Sequence, residues 1–292
     1  MYDTIIVGGG PAGLTSAIYL RRANKKVLVL EANVCGGQIL NAESIENYPG
    51  YINISGYEFS ENIKNQALGL GTEIKYETVL RVDEDKKVHT TNNTYEAKSI
   101  IIAVGSKNRK LNITNEDKFT GRGISYCATC DGNFYKGKDV AVIGSGNTAI
   151  QDMIYLADIC NHVYGIVRGE SYKGEVIELE EAKSKGNVSL MFNSKVTELI
   201  GNESLEKIKI NDKDELEVSG VFVAIGQEPN SMMFKNILDI DEKGYIITNN
   251  DVKTNIKGIY VVGDARQKEL RQLTTAVSDG AIAAMYAIKE ME

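Results

Sequence analysis

The chain has 292 residues, of which 42% are hydrophobic and 25% are charged, and its formal net charge is −7. This composition is that of a globular protein and excludes a wholly disordered chain. The basic residues form no long run, so we expect no nucleic-acid partner, and no run of about 20 apolar residues predicts a membrane-spanning helix. Because the amino terminus lacks the basic segment of a signal peptide, we expect a cytoplasmic protein.

The first segment of the chain combines a strand, a glycine turn and a helix. β-Branched residues predict a strand over residues 3–7, and the turn at 8–13 reads Gly-Gly-Gly-Pro-Ala-Gly before apolar residues at helical spacing. A second apolar run ends at Glu31, 18 residues after Gly13. In this order of elements, with an acid at the end of the second strand, a Gly-x-Gly-x-x-Gly motif predicts a dinucleotide-binding site.

Each glycine of that motif has a physical reason here. Gly8 turns the chain sharply out of the strand, Gly10 lets the backbone approach a pyrophosphate, and Gly13 lets helix and strand pack closely. The helix N-terminus favours phosphate binding. Glu31 is suited to accept hydrogen bonds from a ribose and repels a 2′-phosphate, so the site fits the adenosine of FAD or NAD and not NADP. The alternative is a glycine turn that binds no ligand.

A second motif of the same kind starts 136 residues later. A strand is predicted over residues 139–143, followed by Gly-Ser-Gly-Asn-Thr-Ala at 144–149, a helix to about residue 160 and a strand over 163–167. At about 150 residues per domain, the length agrees with two domains. The helical stretch at 270–291 has no further strands to pack with. We therefore expect an α/β fold in which residues 113–241 form a domain inserted into one made of 1–112 and 242–292.

The reactive candidate is the pair Cys127 and Cys130, followed by Asp131. In a reducing compartment, a Cys-x-x-Cys pair indicates redox chemistry or metal binding. Zinc would need two further ligands, whereas Cys35 and Cys160 stand alone and the chain has 2 histidines. A buried, inert pair is a third possibility. With a redox pair, the Asp131 carboxyl group is suited to protonate a leaving thiolate.

These residues resemble the low-molecular-weight bacterial thioredoxin reductases over almost the whole chain. The matching strings are GGGPAG at 8–13, GGQ at 36–38, ENYPG at 46–50, CATCDG at 127–132, GSGNTA at 144–149, VFVAIGQEPN at 221–230 and GDARQKELRQ at 263–272. The resemblance implies an oxidoreductase with two Rossmann-like domains, FAD in the first and NADPH or NADH in the second. It also implies a homodimer that reduces thioredoxin or a thioredoxin-like protein.

The resemblance further assigns roles to individual residues. Cys130 would lie on the flavin and accept its electrons, Cys127 would attack the thioredoxin disulfide, and Asp131 would act as the acid. The second glycine turn would bind the pyridine nucleotide through Gly144, Gly146, Ala149 and Arg168. The residues implied to bind FAD are Gly8, Gly10, Pro11, Ala12, Gly13, Glu31, Gly37, Gln38, Asn47, Val79, Ala103, Gly105, Asp264, Arg271, Gln272 and Leu273.

One segment departs from the family pattern. Members that use NADPH carry His-Arg-Arg-x-x-x-Arg after the second strand of the inserted domain, whereas this chain has Val167, Arg168, Gly169 and Lys173 at those positions. Because Arg forks bind phosphate more specifically than Lys, the electron donor stays open between NADPH, NADH and reduced ferredoxin.

Two further functions compete with a thioredoxin reductase. A dithiol oxidase would pass electrons from a small dithiol through the cysteine pair to the flavin and then to O2, but the chain offers no histidine close in sequence to that pair. A non-catalytic nucleotide-binding protein would carry neither a bound flavin nor a redox-active disulfide. A flavin spectrum in the purified protein would therefore separate an enzyme from a binding protein.

Overall fold

The computed structural model describes residues 1–42, 44–249 and 251–292. The chain divides into two compact units. The first unit consists of Met1–Lys107 and Glu228–Glu292, and the second unit is Asn108–Gln227. Both contain parallel sheets with helices, so the predicted α/β class is confirmed.

Strands and helices alternate along much of the chain. Among the described residues, the strands are β1 (Tyr2–Val7), β2 (Val27–Glu31), β3 (Glu73–Tyr76), β4 (Val79–Val82), β5 (Lys87–Thr90), β6 (Thr94–Ile102), β7 (Ser106–Asn108), β8 (Ile124–Ser125), β9 (Asp139–Ile143), β10 (His162–Ile166), β11 (Val188–Met191), β12 (Val196–Gly201), β13 (Leu205–Ile210), β14 (Asp214–Glu217), β15 (Gly220–Val223), β16 (Gln227–Pro229) and β17 (Ile259–Val261). The helices are α1 (Pro11–Arg22), α2 (Gly56–Gly69), α3 (Glu116–Phe119), α4 (Ala128–Asp131), α5 (Asn147–Ala157), α6 (Val176–Ser184) and α7 (Leu273–Met291). Short 3₁₀ turns occur at Gly37–Asn41, Gly132–Tyr135, Met232–Phe234 and Gly263–Ala265.

The sheet of the first unit has the strand order β3-β2-β1-β6-β5-β4, and β17 also pairs with β6. The pairs formed by β1, β2, β3, β6 and β17 are parallel, whereas β4, β5 and β6 form an antiparallel meander. β1 and β2 are almost continuously apolar and buried, as expected for parallel strands covered on both faces. Helices α1 and α7 share one buried core with this sheet. Their packing brings the two ends of the chain into one unit.

The second unit contains a parallel sheet with the order β11-β10-β9-β15-β8. A separate antiparallel sheet is formed by β12, β13 and β14. The buried face of α5 packs in a core with β9 and β10 through Ile150, Met153 and Leu156. A glycine turn follows a central parallel strand in each unit, β1 in the first and β9 in the second. No helix in the described part of the chain is long and apolar enough to cross a membrane.

The boundaries between the units differ from the predicted ones. The chain leaves the first unit after Lys107 and returns at Glu228, whereas the sequence predicts boundaries after residues 112 and 241. The reason is hydrophobic packing. Phe234 and Leu238 are buried in the core of the first unit, so the segment after residue 227 belongs there.

Candidate functional site

The first glycine turn is shaped by contacts inside the protein. Gly8 has φ +108°, a conformation that favours glycine, and its N–H donates to the Leu30 carbonyl at 2.8 Å. A Cβ at Gly8 would lie 2.4 Å from the Ala103 carbonyl oxygen, and a Cβ at Gly13 would lie 2.1 Å from the Gly8 carbonyl oxygen. Both glycines are thus required by the close packing of β1, β6 and α1, which explains two of the three predicted glycine roles.

Gly10 is different, because a Cβ there would meet no protein atom within 4 Å. Its backbone is extended, with φ −76°, so the protein itself gives no reason for glycine at this position. The following helix begins with Pro11 and has no side-chain cap and no acidic residue in its first turn. Its first N–H groups are therefore suited to bind an anion. The open space above Gly10 fits a pyrophosphate.

Glu31 stands at the end of β2 beside this turn. Its Oε2 accepts the Gly9 N–H at 2.7 Å and its Oε1 accepts the Asn33 N–H at 3.0 Å. A carboxylate has about four acceptor positions, so Glu31 is held in place by two bonds and retains capacity for ribose hydroxyls. Glu31 is therefore suited to the ribose contact that the sequence predicts.

A cavity of about 600 Å³ opens from the glycine turn at the carboxyl ends of β1 and β2. All of its lining residues belong to the first unit. Its volume lies in the usual range for cofactor sites. The predicted FAD-binding residues that line it are Gly8, Gly10, Pro11, Ala12, Glu31, Gly37, Gln38, Val79, Ala103, Gly105, Asp264, Gln272 and Leu273.

Three predicted FAD-binding residues do not line the cavity. Gly13 packs against the Gly8 carbonyl group, and the Asn47 amide donates to the cavity residue Gln272 at 3.3 Å. The Arg271 guanidinium lies over the ring of Tyr245, 3.9 Å from its centroid. Cavity residues that the sequence motifs did not identify include Lys107, Asn230 and Met233.

Asn230 shows why motifs do not identify these residues. Its backbone N–H donates to the Gly105 carbonyl at 3.0 Å and its side-chain amide donates to the Val104 carbonyl at 2.9 Å. The predicted boundary after residue 241 places Asn230 in the other domain, away from these partners. The matching string VFVAIGQEPN at 221–230 ends at Asn230. This match is the only signal in the sequence analysis that could have identified Asn230 as a cavity residue.

Asp264 supplies the polar group that most clearly points to a ligand. It lies in the turn after β17 and lines the cavity, and its Oδ1 is buried without a hydrogen-bond partner. Burial raises the pKa of Asp264, and the positive charges of Lys268 and Arg271 oppose this rise. A buried carboxylate oxygen is costly unless it accepts a hydrogen bond. A hydroxyl group in the cavity, such as those of the FAD ribityl chain, would satisfy it.

The cysteine pair forms a disulfide in the second unit. Cys127 and Cys130 are joined by a bond of 2.08 Å, with their Cα atoms 5.3 Å apart. Cys130 lies in the single turn of α4, and its N–H donates to the Cys127 carbonyl at 3.2 Å. Within the described residues, no group of three or more potential metal ligands occurs. The disulfide is consistent with the redox pair that the sequence predicts.

Asp131 is held close to this pair through Ser125. The Ser125 hydroxyl donates to Asp131 Oδ2 at 2.6 Å, and Ser125 Oγ accepts the Cys127 N–H at 3.0 Å. The Thr129 hydroxyl oxygen lies 3.5 Å from the Cys127 sulfur. The structure thus brings together the three residues predicted to be catalytic, and Ser125 is a neighbour that the motif alone does not identify.

The second glycine turn repeats the geometry of the first. Gly144 has φ +155°, its N–H donates to the Ile166 carbonyl at 3.2 Å, and a Cβ there would lie 2.3 Å from the Ala224 carbonyl oxygen and 3.0 Å from the Ala149 Cβ. Gly146 resembles Gly10, since its Cβ would meet nothing within 4 Å. The helix after it, α5, also lacks a side-chain cap. This turn is therefore also suited to a pyrophosphate.

The two glycine turns differ at the ends of the neighbouring strands, β2 in the first unit and β10 in the second. Glu31 and Val167 occupy equivalent positions. Each directly follows the residue whose carbonyl accepts the N–H of the first motif glycine, which is Leu30 for Gly8 and Ile166 for Gly144. Val167 is 5% exposed and apolar, so this position has no acceptor for a ribose. The cations Arg168 and Lys173 are each followed two residues later in the chain by a glutamate, Glu170 and Glu175.

Comparisons with known proteins extend over the whole chain. Residues 2–280 match the family described as pyridine nucleotide-disulphide oxidoreductase. The thioredoxin reductase of Mycoplasma genitalium is 41% identical, with 98% of this chain and 94% of that protein covered. The crystal structure of thioredoxin reductase from Streptococcus pyogenes has a TM-score of 0.95 at 39% identity and covers 100% of this chain and 99% of its own. A ferredoxin-flavin thioredoxin reductase from Clostridium acetobutylicum has a TM-score of 0.54 at 33% identity, with 99% and 98% covered.

Proposed function

Because the chain belongs to the pyridine nucleotide-disulphide oxidoreductase family, we propose that it is an FAD-dependent reductase of thioredoxin or a thioredoxin-like protein. The observation that carries this proposal is the Cys127–Cys130 disulfide, in a chain whose first unit also holds a cofactor-sized cavity with an unsatisfied carboxylate. We further expect the enzyme to be a cytoplasmic homodimer, as its resemblance to the family implies.

The residues of the first unit fit FAD. Gly10 and the N-terminus of α1 would hold the pyrophosphate, Glu31 the adenosine ribose and Asp264 the ribityl chain. When bound, FAD supplies an isoalloxazine ring that takes up two electrons and passes them to a disulfide. The apolar walls formed by residues such as Val79 and Leu273 would exclude water from the cavity.

The cysteine pair carries the exchange with the protein substrate. Two electrons and two protons break the Cys127–Cys130 bond and leave two thiols. The Cys127 thiolate attacks one sulfur of the substrate disulfide, which forms a mixed disulfide and releases a substrate thiolate. The Cys130 thiolate then attacks Cys127, which restores the intramolecular disulfide and releases the reduced substrate.

Asp131 is proposed to move the protons in this exchange. The Ser125 hydroxyl donates to Oδ2, which holds the carboxyl group beside the cysteine pair. Asp131 would protonate a leaving thiolate, and it would recover a proton from a cysteine thiol. Ser125 orients the carboxyl group because it bonds both Asp131 and the Cys127 backbone N–H.

The electron donor is proposed to be a pyridine nucleotide that binds the second glycine turn through Gly144, Gly146, Ala149 and Arg168. The open space at Gly146 and the uncapped start of α5 support this placement. Val167, at the position that Glu31 occupies in the first unit, is apolar, and residues 167–173, which follow β10, hold a single arginine, Arg168. We therefore expect weak binding of NADPH and of NADH.

Reduced ferredoxin is the second candidate donor. The apolar Val167 and the glycine at position 169 favour it, because they weaken the nucleotide site without affecting the disulfide. The 33% identity to a ferredoxin-flavin thioredoxin reductase is consistent with this donor.

The proposed function is tested by reduction of thioredoxin with the purified, FAD-loaded protein and each of the three donors in turn. A visible flavin spectrum and thioredoxin reduction that needs both cysteines are expected. A folded preparation that takes up no flavin would contradict the proposal. The donor is identified by stopped-flow reduction of the flavin, where NADPH is expected to be slow at micromolar concentration.

A further inference from the structure

A cluster of buried charges lies next to the cavity, on residues that the proposed mechanism does not use. Asp279 in α7 is 7% exposed, and the side chains of Lys268 and Arg266 are 8% and 12% exposed. Charged side chains are rarely buried to this extent unless they are paired. Asp279 is paired with both cations, so the position of each charge in the cluster depends on the others.

Asp279 connects the helix to the turn that carries Asp264. Its Oδ2 accepts the Gly263 N–H at 3.0 Å and the Lys268 ammonium at 3.0 Å, and Arg266 Nε lies 3.7 Å away. Gly263 has φ +69° and immediately precedes Asp264. One carboxylate thus fixes both the turn and the position of Lys268.

Lys268 and Asp279 both act electrostatically on Asp264. The Lys268 ammonium opposes the rise in the pKa of that carboxyl group, whereas the Asp279 carboxylate adds to it. Lys268 also donates to the Thr275 hydroxyl at 3.3 Å, so its ammonium is held at the start of α7. Lysine has a flexible stem and three donors. If Asp279 did not hold it, Lys268 would pair with the unsatisfied Asp264 carboxylate.

We propose that Asp279 is a positioning residue for FAD: it fixes the turn at Gly263 and holds Lys268, and so keeps the Asp264 carboxylate available to a cofactor hydroxyl. The inference rests on the proposed function, because it requires FAD in the cavity. Asp279 itself does not line the cavity and is not proposed to touch the cofactor.

The test is a double-mutant cycle on FAD binding to the apoprotein, followed by the change in FAD fluorescence. Asp279→Asn keeps an oxygen for the Gly263 N–H but removes the charge that holds Lys268. We expect its FAD dissociation constant to rise by about 10- to 100-fold, the scale of one hydrogen bond to a charged group. Lys268→Met alone is expected to stay within about threefold of the wild type, because no competitor for Asp264 remains.

The double variant separates positioning from a merely structural role. Adding Lys268→Met to Asp279→Asn is expected to restore FAD affinity to within about threefold of the wild type. The control is Ser278→Ala, at the exposed neighbouring position, which is expected to bind FAD normally. The melting temperature of each apoprotein is recorded alongside.

Three results would overturn the positioning role: unchanged affinity in Asp279→Asn, a loss that Lys268→Met does not restore, or a loss of about tenfold or more in Lys268→Met alone. The last result is decisive even if Asp279→Asn does not fold. Wild-type apoprotein that takes up no FAD would instead overturn the cofactor assignment. The two failures are therefore distinguishable.

Discussion

Gly10 and Gly13 belong to the same motif, yet alanine at each is expected to have a different effect. At Gly10 the added Cβ meets no protein atom within 4 Å, and its backbone angles suit alanine. The methyl group would instead enter the space assigned to the pyrophosphate. At Gly13 the Cβ would lie 2.1 Å from the Gly8 carbonyl oxygen, which forces a backbone shift. Gly10→Ala therefore tests the ligand, and Gly13→Ala tests the packing.

The magnitudes follow from the bonds that each change removes. Loss of two phosphate hydrogen bonds at about 1.5 kcal/mol or more each weakens FAD binding by about 3 kcal/mol, roughly 100-fold. Replacing the glycine at the helix start costs about 1 kcal/mol at most, so the Gly10→Ala apoprotein should melt within about 4 °C of the wild type. Gly13→Ala should lose about 3 kcal/mol of folding stability from overpacking.

The assay combines calorimetric titration of FAD with thermal melting of the apoproteins followed by circular dichroism. Gly10→Ala is expected to show normal melting with weak FAD binding, and Gly13→Ala early melting. Normal FAD affinity in a folded Gly10→Ala protein would refute the placement of the pyrophosphate above Gly10.

Three further predictions concern the second unit. Cys130→Ser is expected to abolish thioredoxin reduction while FAD stays bound, whereas Cys160→Ser, at a buried free cysteine, should retain turnover; turnover by Cys130→Ser would exclude the disulfide relay. Burial raises the pKa of Asp152 from 3.8 to about 7, because the charged form is poorly solvated in the folded state. The folded state is therefore favoured while Asp152 is neutral, and the free energy of unfolding falls as pH rises from about 4 through about 7. Asp152→Asn should therefore raise stability by up to about 4 kcal/mol at pH 8 and by less than about 1 kcal/mol at pH 4, and equal shifts in melting temperature at both pH values would contradict this linkage. Gly169→Arg is expected to tighten NADPH binding by about 10- to 150-fold, the value of one charged hydrogen bond, with little change for NADH. Equal effects on both nucleotides in titrations would argue against a 2′-phosphate contact.

Local patterns in the sequence predict the local geometry of the sites well. The strand at 139–143 has its predicted bounds, and Gly8 and Gly144 have the positive φ that a sharp turn requires. Cys127 and Cys130 form the disulfide that their spacing favours. The family resemblance is confirmed by the full-length relatives. These features depend on residues close together in the chain, so a motif is sufficient to identify them.

Features that depend on distant contacts do not follow from such patterns. Phe234 and Leu238 show no periodic pattern that assigns them to one domain, and only their burial in the first unit does so. The bond from Asp279 to Gly263 joins residues 16 apart across a turn, and nothing in the local sequence indicates it. The same holds for Asn230, whose bonds to Val104 and Gly105 join the two chain segments of the first unit.

FAD and the Cys127–Cys130 disulfide are expected to exchange electrons within one protein. Anaerobic titration of the FAD-loaded enzyme with dithionite, followed by flavin absorbance, tests it most directly. The wild type is expected to consume about twice as many reducing equivalents as the Cys127→Ser, Cys130→Ser double variant, because flavin and disulfide each take up two electrons. Equal consumption by the two proteins would show that the disulfide receives no electrons from the flavin, and would contradict the account.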